Sequence, residues 1–201
     1  MIRIEGYNPM LRKEERHKAI AIPVSFADGK PRFLTVRDRR FKEWIFVTGG
    51  CHRREVANPL RCALRELEEE TRGVISIRDG IYSNYVYTCK NHSQEDLDKD
   101  TRNGVEVTLI YNIYIIDFNV SRSKQFEYIH RFEDAKSIME ERKRRRLSIK
   151  RTYDENDDMC FDTLEEFSRK RRWDFITRSV LDNPEFPRAL STLNRKRFSI
   201  R

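Results

Sequence analysis

Apolar and polar positions alternate along the chain in a way that predicts strands first and helices later. Residues 17–26 are apolar and β-branched, residues 31–36 are similar, and Asp28-Gly29 separates them, so the two stretches read as a hairpin. A third apolar piece, Trp44-Ile45-Phe46-Val47, ends at Gly49-Gly50. A helix is predicted over 59–71, with Asn58 as N-cap, Pro59 at the first helical position and Gly73 just past the end. Residues 75–89 and 105–118 read as strands, and the polar stretch between them, 90–103, has no periodicity and reads as a loop. From Arg131 the spacing of Phe132, Ala135, Ile138 and Met139 is helical. A short strand at 159–161 follows, then helices over 163–172 and 173–181. A strand, a glycine pair and a helix in succession, within a mixture of both element types, predict an α/β (α+β) sandwich rather than a bundle.

A length of 201 residues suits one domain, 1–201, and leaves room for a basic helical insertion at 119–153 and a basic tail at 185–201. Hydrophobic residues are 38% against 37% charged, and 12 Phe, 8 Tyr and 2 Trp supply the bulk of a core that disordered chains lack. The longest apolar run, 105–118, is interrupted by Glu106, Thr108, Asn112 and Asp117, so no membrane-spanning segment is expected. The opening Met-Ile-Arg-Ile-Glu has no apolar leader, which points to the cytosol. Cys51, Cys62, Cys89 and Cys160 stand singly, without Cys-x-x-Cys pairs, and are expected as reduced thiols. A net charge of +8 favours anionic partners such as RNA or polyphosphates.

Chemistry concentrates on the helix after the glycine pair. At about 100° per residue, Glu66, Glu69 and Glu70 share one arc while Leu60, Ala63, Leu64 and Leu67 fill the neighbouring one. Carboxylates crowded at i, i+3 and i+4 repel, and a hard divalent cation, Mg²⁺ or Mn²⁺, would relieve them through oxygen-only ligation. A solvated acidic helix is the alternative reading of these residues.

The stretch from Gly49 to Val74 resembles the Nudix box, G-x5-E-x7-R-E-U-x-E-E-x-G-U with U aliphatic, over about 25 residues. Gly49, Glu55, Arg65, Glu66, Leu67, Glu69, Glu70, Gly73 and Val74 take up box roles. Two departures stand out: nine residues rather than seven separate Glu55 from Arg65, and Thr71-Arg72 puts two residues before Gly73 where the family has one. The resemblance implies an α/β/α sandwich with a mixed sheet that hydrolyses a nucleoside diphosphate linked to another group, using Mg²⁺ or Mn²⁺. It implies that Glu66, Glu69 and Glu70 bind the metal, that Arg65 steadies Glu69, and that backbone carbonyls of Gly49 and Gly50 approach the cation. A further carboxylate is similar in place to Glu155, with Asp158 as second choice and a solvated loop as the alternative.

The box gives the reaction class, so substrate must be read from charge. Residues 121–153 hold eleven Lys and Arg against five acids. Arg142, Lys143, Arg144, Arg145, Arg146, Lys150 and Arg151 crowd its end, and Lys170, Arg171 and Arg172 form another cluster. Such clusters suit a chain of phosphates; an ordinary solvated helix, with Glu140 and Glu141 pairing to Arg144 and Arg145, or a nuclear-localisation run is the plainer reading. The Cys-x-x-Arg-Glu-x-x-Glu-Glu texture of residues 62–70 is similar to the Nudix decapping enzymes of poxviruses and other large DNA viruses. That likeness implies hydrolysis of capped RNA to 7-methyl-GDP, in the host cytoplasm if the protein is viral. Tyr7, Phe41, Trp44 and Trp173 are candidates to stack on a methylated, cationic guanine, or else core residues. Two alternatives stay open: a Nudix pyrophosphatase on dinucleoside polyphosphates or diphosphoinositol polyphosphates, and a non-catalytic RNA-binding protein.

Overall fold

The computed structural model describes residues 11–27, 29–78, 80–90, 92 and 94–199. Tyr7, Asp28 and the last two residues of the basic tail lie outside them. Among the described residues seven strands form one mixed sheet: β1 Arg12–Ser25, β2 Arg32–Asp38, β3 Trp44–Ile45, β4 Val47–Gly50, β5 Tyr82–Cys89, β6 Val105–Asp117 and β7 Asn156–Asp162. The order is β3-β2-β1-β6-β5, with β4 also paired to β1 and β7 to β2. β1 and β6 run parallel from Arg12↔Val105 to Val24↔Asp117, and every other pair is antiparallel. Residues 19–25 of β1 and 113–116 of β6 are buried on successive positions, which requires cover on both faces of the sheet. Helices provide it: α1 Pro59–Glu70 lies on β1 and β4, and α6 Glu185–Ser199 lies on β5 and β6. The result is the expected sandwich. Among the described residues no helix is long and apolar enough to cross a membrane.

Several boundaries differ from those read in the sequence, each for a physical reason. β1 starts five residues earlier, at Arg12, because β6 supplies hydrogen bonds along a stretch whose side chains are mostly charged. The strand expected over 75–89 begins only at Tyr82; Thr71 Oγ1 takes the backbone N–H of Ile75 at 3.3 Å and holds the preceding segment in a turn. Residues 94–102, expected as loop, form α2 Gln94–Arg102, with Glu95 and Asp96 in its first turn and Lys99 and Arg102 in its last. Those charges complement the helix dipole without any apolar stripe. α3 Arg122–Arg144 starts well before Arg131, where Ser121 Oγ accepts from Lys124 N at 3.4 Å. Its buried residues, Gln125, Phe132 and Met139, repeat every seven positions, a narrow seam that exposed Phe126 and Ile138 disguise.

α4 Leu164–Ser168 opens with a capping box between Thr163 and Glu166 and ends at Arg169, before the chain bridges from Arg172 to Trp44. α5 Asp174–Ile176 runs on as a π turn to Leu181. The segment 185–199 is no loose tail, since Phe186, Ala189 and Leu193 dock α6 against the sheet. There Ser83 Oγ donates to Ala189 O at 2.6 Å.

The core centres on a ring cluster in which Phe46 stands 4.9 Å from Phe167 and 6.5 Å from Phe33, all fully buried. Phe46→Ala leaves a hole that rigid strands β2 and β4 cannot close, and is expected to cost about 3–5 kcal/mol, read as a lower urea midpoint at unchanged slope.

Candidate active site

The glycine pair and the acidic helix meet because β4 pairs with β1 and α1 lies across both strands. A Cβ on Gly49 would fall 2.0 Å from Glu66 Cδ, so only glycine leaves room for that carboxylate. A Cβ on Gly50 would meet nothing, and its carbonyl accepts from Arg65 Nη2 at 2.9 Å.

Arg65 ties the site together. Its Nε and Nη2 donate to the two oxygens of Glu55 at 2.9 and 3.0 Å, a bidentate pair. Its Nη1 donates to Glu69 Oε2 at 3.0 Å and lies 2.8 Å from Glu66 Oε1. The nine-residue interval between Glu55 and Arg65 is absorbed by the turn at residues 56–57, which links the 3-10 turn Arg53–Glu55 to α1. Glu55 therefore reaches Arg65 despite the altered spacing. It is buried, and its carboxyl is held down to about 2, chiefly by the Arg65 hydrogen bonds and, against the effect of burial, by the His52 N–H at 2.8 Å.

The remaining carboxylates crowd one another. Glu70 is buried and accepts from Asn156 Nδ2 at 2.9 Å and from Thr48 N at 3.3 Å. Burial pushes its carboxyl well above the ordinary range, against the Asn156 hydrogen bond, and Glu66 and Glu155 add to the rise. Glu66 is raised by burial, opposed by Arg65 and assisted by Glu69 and Glu155. Glu155 is raised by burial and then, against Arg151, by Glu69. Burial also presses on Glu69, but Lys150 Nζ at 2.8 Å and Arg65 hold it low.

Among the described residues, no three His, Cys, Asp or Glu side chains already converge at metal-binding spacing. The donor chemistry nonetheless fits a hard divalent cation: four oxygen-only side chains, Glu66, Glu69, Glu70 and Glu155, are crowded together against mutual repulsion. Asp158 is not among them, because it turns to Arg37, 3.5 Å away, on the neighbouring strand.

The NUDIX domain family model matches residues 15–179, from β1 into the π turn. The chain belongs to the Nudix family. Nudix hydrolases act on pyrophosphate bonds with divalent ions such as Mg²⁺ or Mn²⁺. Solved structures with a similar course of chain include the NUDIX domain of Shewanella oneidensis NrtR complexed with ADP ribose, at 11% identity over 100% of both chains and a TM-score of 0.45. A NUDIX hydrolase from Nitrosomonas europaea is 11% identical over 91% of this chain and 90% of its own, with a TM-score of 0.44. An Ap4A hydrolase of C. elegans in a binary complex is 14% identical over 92% and 96%, with a TM-score of 0.41. No curated protein matches the sequence.

Beside Glu70 and Glu155 in this Nudix site opens a cavity of about 420 Å³. Phe41 and Trp173 both wall it. Trp44 does not; it takes Lys170 Nζ over its ring at 3.5 Å. Three acids that the sequence did not single out, Asp38, Glu43 and Asp96, also face the cavity. Asp38, three residues before Phe41, accepts the Phe41 N–H at Oδ1 over 2.6 Å, and Glu43 lies two residues after it. His92 closes the floor, its ring 4.8 Å from Trp173 and 4.7 Å from Phe175, and burial pushes its pKa down to about 4. Asn156, the residue that fixes Glu70, carried no sequence signal.

The basic residues separate into two groups. At the end of α3, Arg142 holds Ser148 O at 2.8 Å, Lys143 pairs with Asp154, and Arg144 and Arg145 share Glu141 at 2.7 and 2.6 Å. Arg146 follows in an exposed turn, and Lys150 and Arg151 act on Glu69 and Glu155. In the second group Lys170 pairs with Asp162 at 2.6 Å, and Arg171 lies 3.5 Å from Glu43. Arg172 bonds Thr177 Oγ1 at 3.1 Å and the backbone of α4.

Two predictions follow from Gly49 and Glu55. Gly49→Ala is expected to fold normally yet displace Glu66, lowering turnover and Mn²⁺ affinity by about 10- to 100-fold, checked by kinetics and metal titration. Because the folded Glu55 carboxyl lies below its unfolded value, it stabilises above the ordinary carboxylate range and that stability is lost as pH falls towards about 2. Glu55→Gln should therefore be less stable than the parent at pH 7, with the gap closing on acidification in paired urea melts.

Proposed function

We propose that the protein is an RNA-decapping hydrolase. Water adds to a phosphorus of the cap triphosphate bridge, one bridging P–O bond breaks, and 7-methyl-GDP and a 5′-monophosphate RNA leave. The observation that carries this reading is the sign of the base cavity. Phe41 and Trp173 wall it together with Asp38, Glu43 and Asp96, and among the described residues no Lys or Arg lines it. Aromatic faces and carboxylates attract a cationic ring such as 7-methylguanine. A neutral adenine gains little from the acids, and an inositol polyphosphate is repelled by them. The likeness to decapping enzymes of large DNA viruses runs the same way, and in that setting the host cytoplasm is the place of action.

Glu66, Glu69, Glu70 and Glu155 would hold Mg²⁺ or Mn²⁺, which when bound neutralises charge on the bridging phosphates and lowers the pKa of the attacking water. Arg65 orients Glu66 and Glu69, and Asn156 with Thr48 orients Glu70. One of these carboxylates takes the water proton. The RNA body lies over Arg142 to Arg146, Lys150 and Arg151, on the Glu69 side of the site.

The test is RNA labelled in its cap phosphates, incubated with Mg²⁺ or Mn²⁺. The parent is expected to release 7-methyl-GDP, and Glu69→Gln or Glu70→Gln to lose at least about 100-fold in turnover while still binding RNA. 7-Methyl-GDP should inhibit at least about tenfold better than GDP, a margin that Trp173→Ala erases. An intact cap alongside turnover of a dinucleoside polyphosphate would overturn the reading, and salt-sensitive RNA binding without any hydrolysis would favour a non-catalytic role.

A further inference from the structure

The exit of α1 holds an arginine that the site above does not use. Arg72 is the extra residue before Gly73, and its φ of +57° puts a non-glycine residue in the left-handed region. That turn closes α1: the Arg72 N–H donates to Glu69 O at 3.0 Å and the Gly73 N–H to Glu68 O at 2.7 Å. The Arg72 side chain is only 6% exposed, lies 4.0 Å over the ring of Phe132 and donates through Nη2 to Asn156 O. Its Nε and Nη1 have no hydrogen-bond partner among the described residues. Buried donors of this kind are costly unless something accepts from them. Burial, and then Arg39, push its pKa down to about 10, so it is still a cation near neutrality.

Arg72 lines a cavity of about 330 Å³ between α3 and residues 148–153. Arg142 and Lys150 share the wall with apolar Ile138 and the ring of Tyr153, and among the described residues no Asp or Glu lines it. We propose that this cavity is a second binding site, one that takes a phosphate carried on a nucleotide. The three cations receive the phosphate, and Ile138 and Tyr153 pack against the nucleotide body. Lys150 belongs to both sites, since its Nζ rests on Glu69. A polynucleotide reacting at the carboxylates can therefore continue into the cavity, although a free phosphate or mononucleotide has the same chemistry. The site does not depend on which anhydride is cut next door.

The test is calorimetric titration of the full chain, without divalent ions so that nothing turns over, with inorganic phosphate and with an uncapped 5′-phosphorylated RNA hexamer. Ile138 is 64% exposed, so Ile138→Glu should fold and place a carboxylate at the mouth, weakening binding at least about tenfold. Phe126→Glu adds the same charge to the same helix about 18 Å away and should leave binding unchanged. Arg72→Met should act like Ile138→Glu, and if it fails to fold the surface pair still decides. A drop for the RNA specific to Ile138→Glu, with or without one for phosphate, assigns the site to the RNA chain. A drop for phosphate alone assigns it to a free anion. No drop, or an equal drop in Ile138→Glu and Phe126→Glu, overturns the proposal.

Discussion

Everything at the carboxylate centre depends on how one guanidinium is shared. Four acidic side chains, three on α1 and Glu155 just before β7, repel one another, and burial of Glu66 and Glu70 makes the repulsion worse. Arg65 offsets part of it by contacting Glu55, Glu66 and Glu69 at once, and it also takes the carbonyl of Gly50. Those contacts tie α1, β4 and the 3-10 turn together, so the orientation of the carboxylates and the anchoring of the helix are one interaction. Arginine suits this because its planar fork offers five donors in fixed directions, where lysine would bring a single point charge.

Much of this was legible in the sequence, and the parts that were not share a cause. Pro59 and Gly73 marked the ends of α1 because such signals are local, although Asn58 makes no side-chain cap bond; the apolar arc was only half the buried face, which also takes in Glu66 and Glu70. The glycine pair was legible as a need for space, although only the structure shows that Gly49 makes room for Glu66 while the Gly50 carbonyl serves Arg65. α2 was invisible because Leu97 is its one apolar residue, which leaves no periodicity to read, and what it packs on, β6, comes from across the fold. Asn156 and Arg72 were invisible because each acts across the fold, from β7 to α1 and back. Spacing along the chain does carry a trace of the second: the family pattern has one residue where this chain has Thr71-Arg72.

Charge alone overstated the basic surface. Of the cations that suggested nucleic acid, Lys170 and Arg172 are occupied in holding β7, α4 and the π turn to one another. Lys143 braces α3 against the 3-10 turn Arg151–Asp154, and Arg144 and Arg145 divide one glutamate between them. Exposed ion pairs of that kind are worth little and are easily exchanged for a phosphate, so pairing does not remove these arginines from an anion surface. It does separate cations that are part of the frame from cations that can change partners.

The two sides of the carboxylate centre differ in sign, and this gives a substrate a direction. On the Glu70 side the cavity wall is aromatic and acidic; on the Glu69 side Lys150, Arg151 and the end of α3 are basic. In the reading proposed above, a compact polyanion gains from the basic side alone. A molecule with a cationic ring at one end and a run of phosphates at the other satisfies both walls, and its anhydride bonds fall between them. In the reading proposed above, orientation is thus set by the ends of the substrate, while the carboxylates need only recognise the bond that lies between.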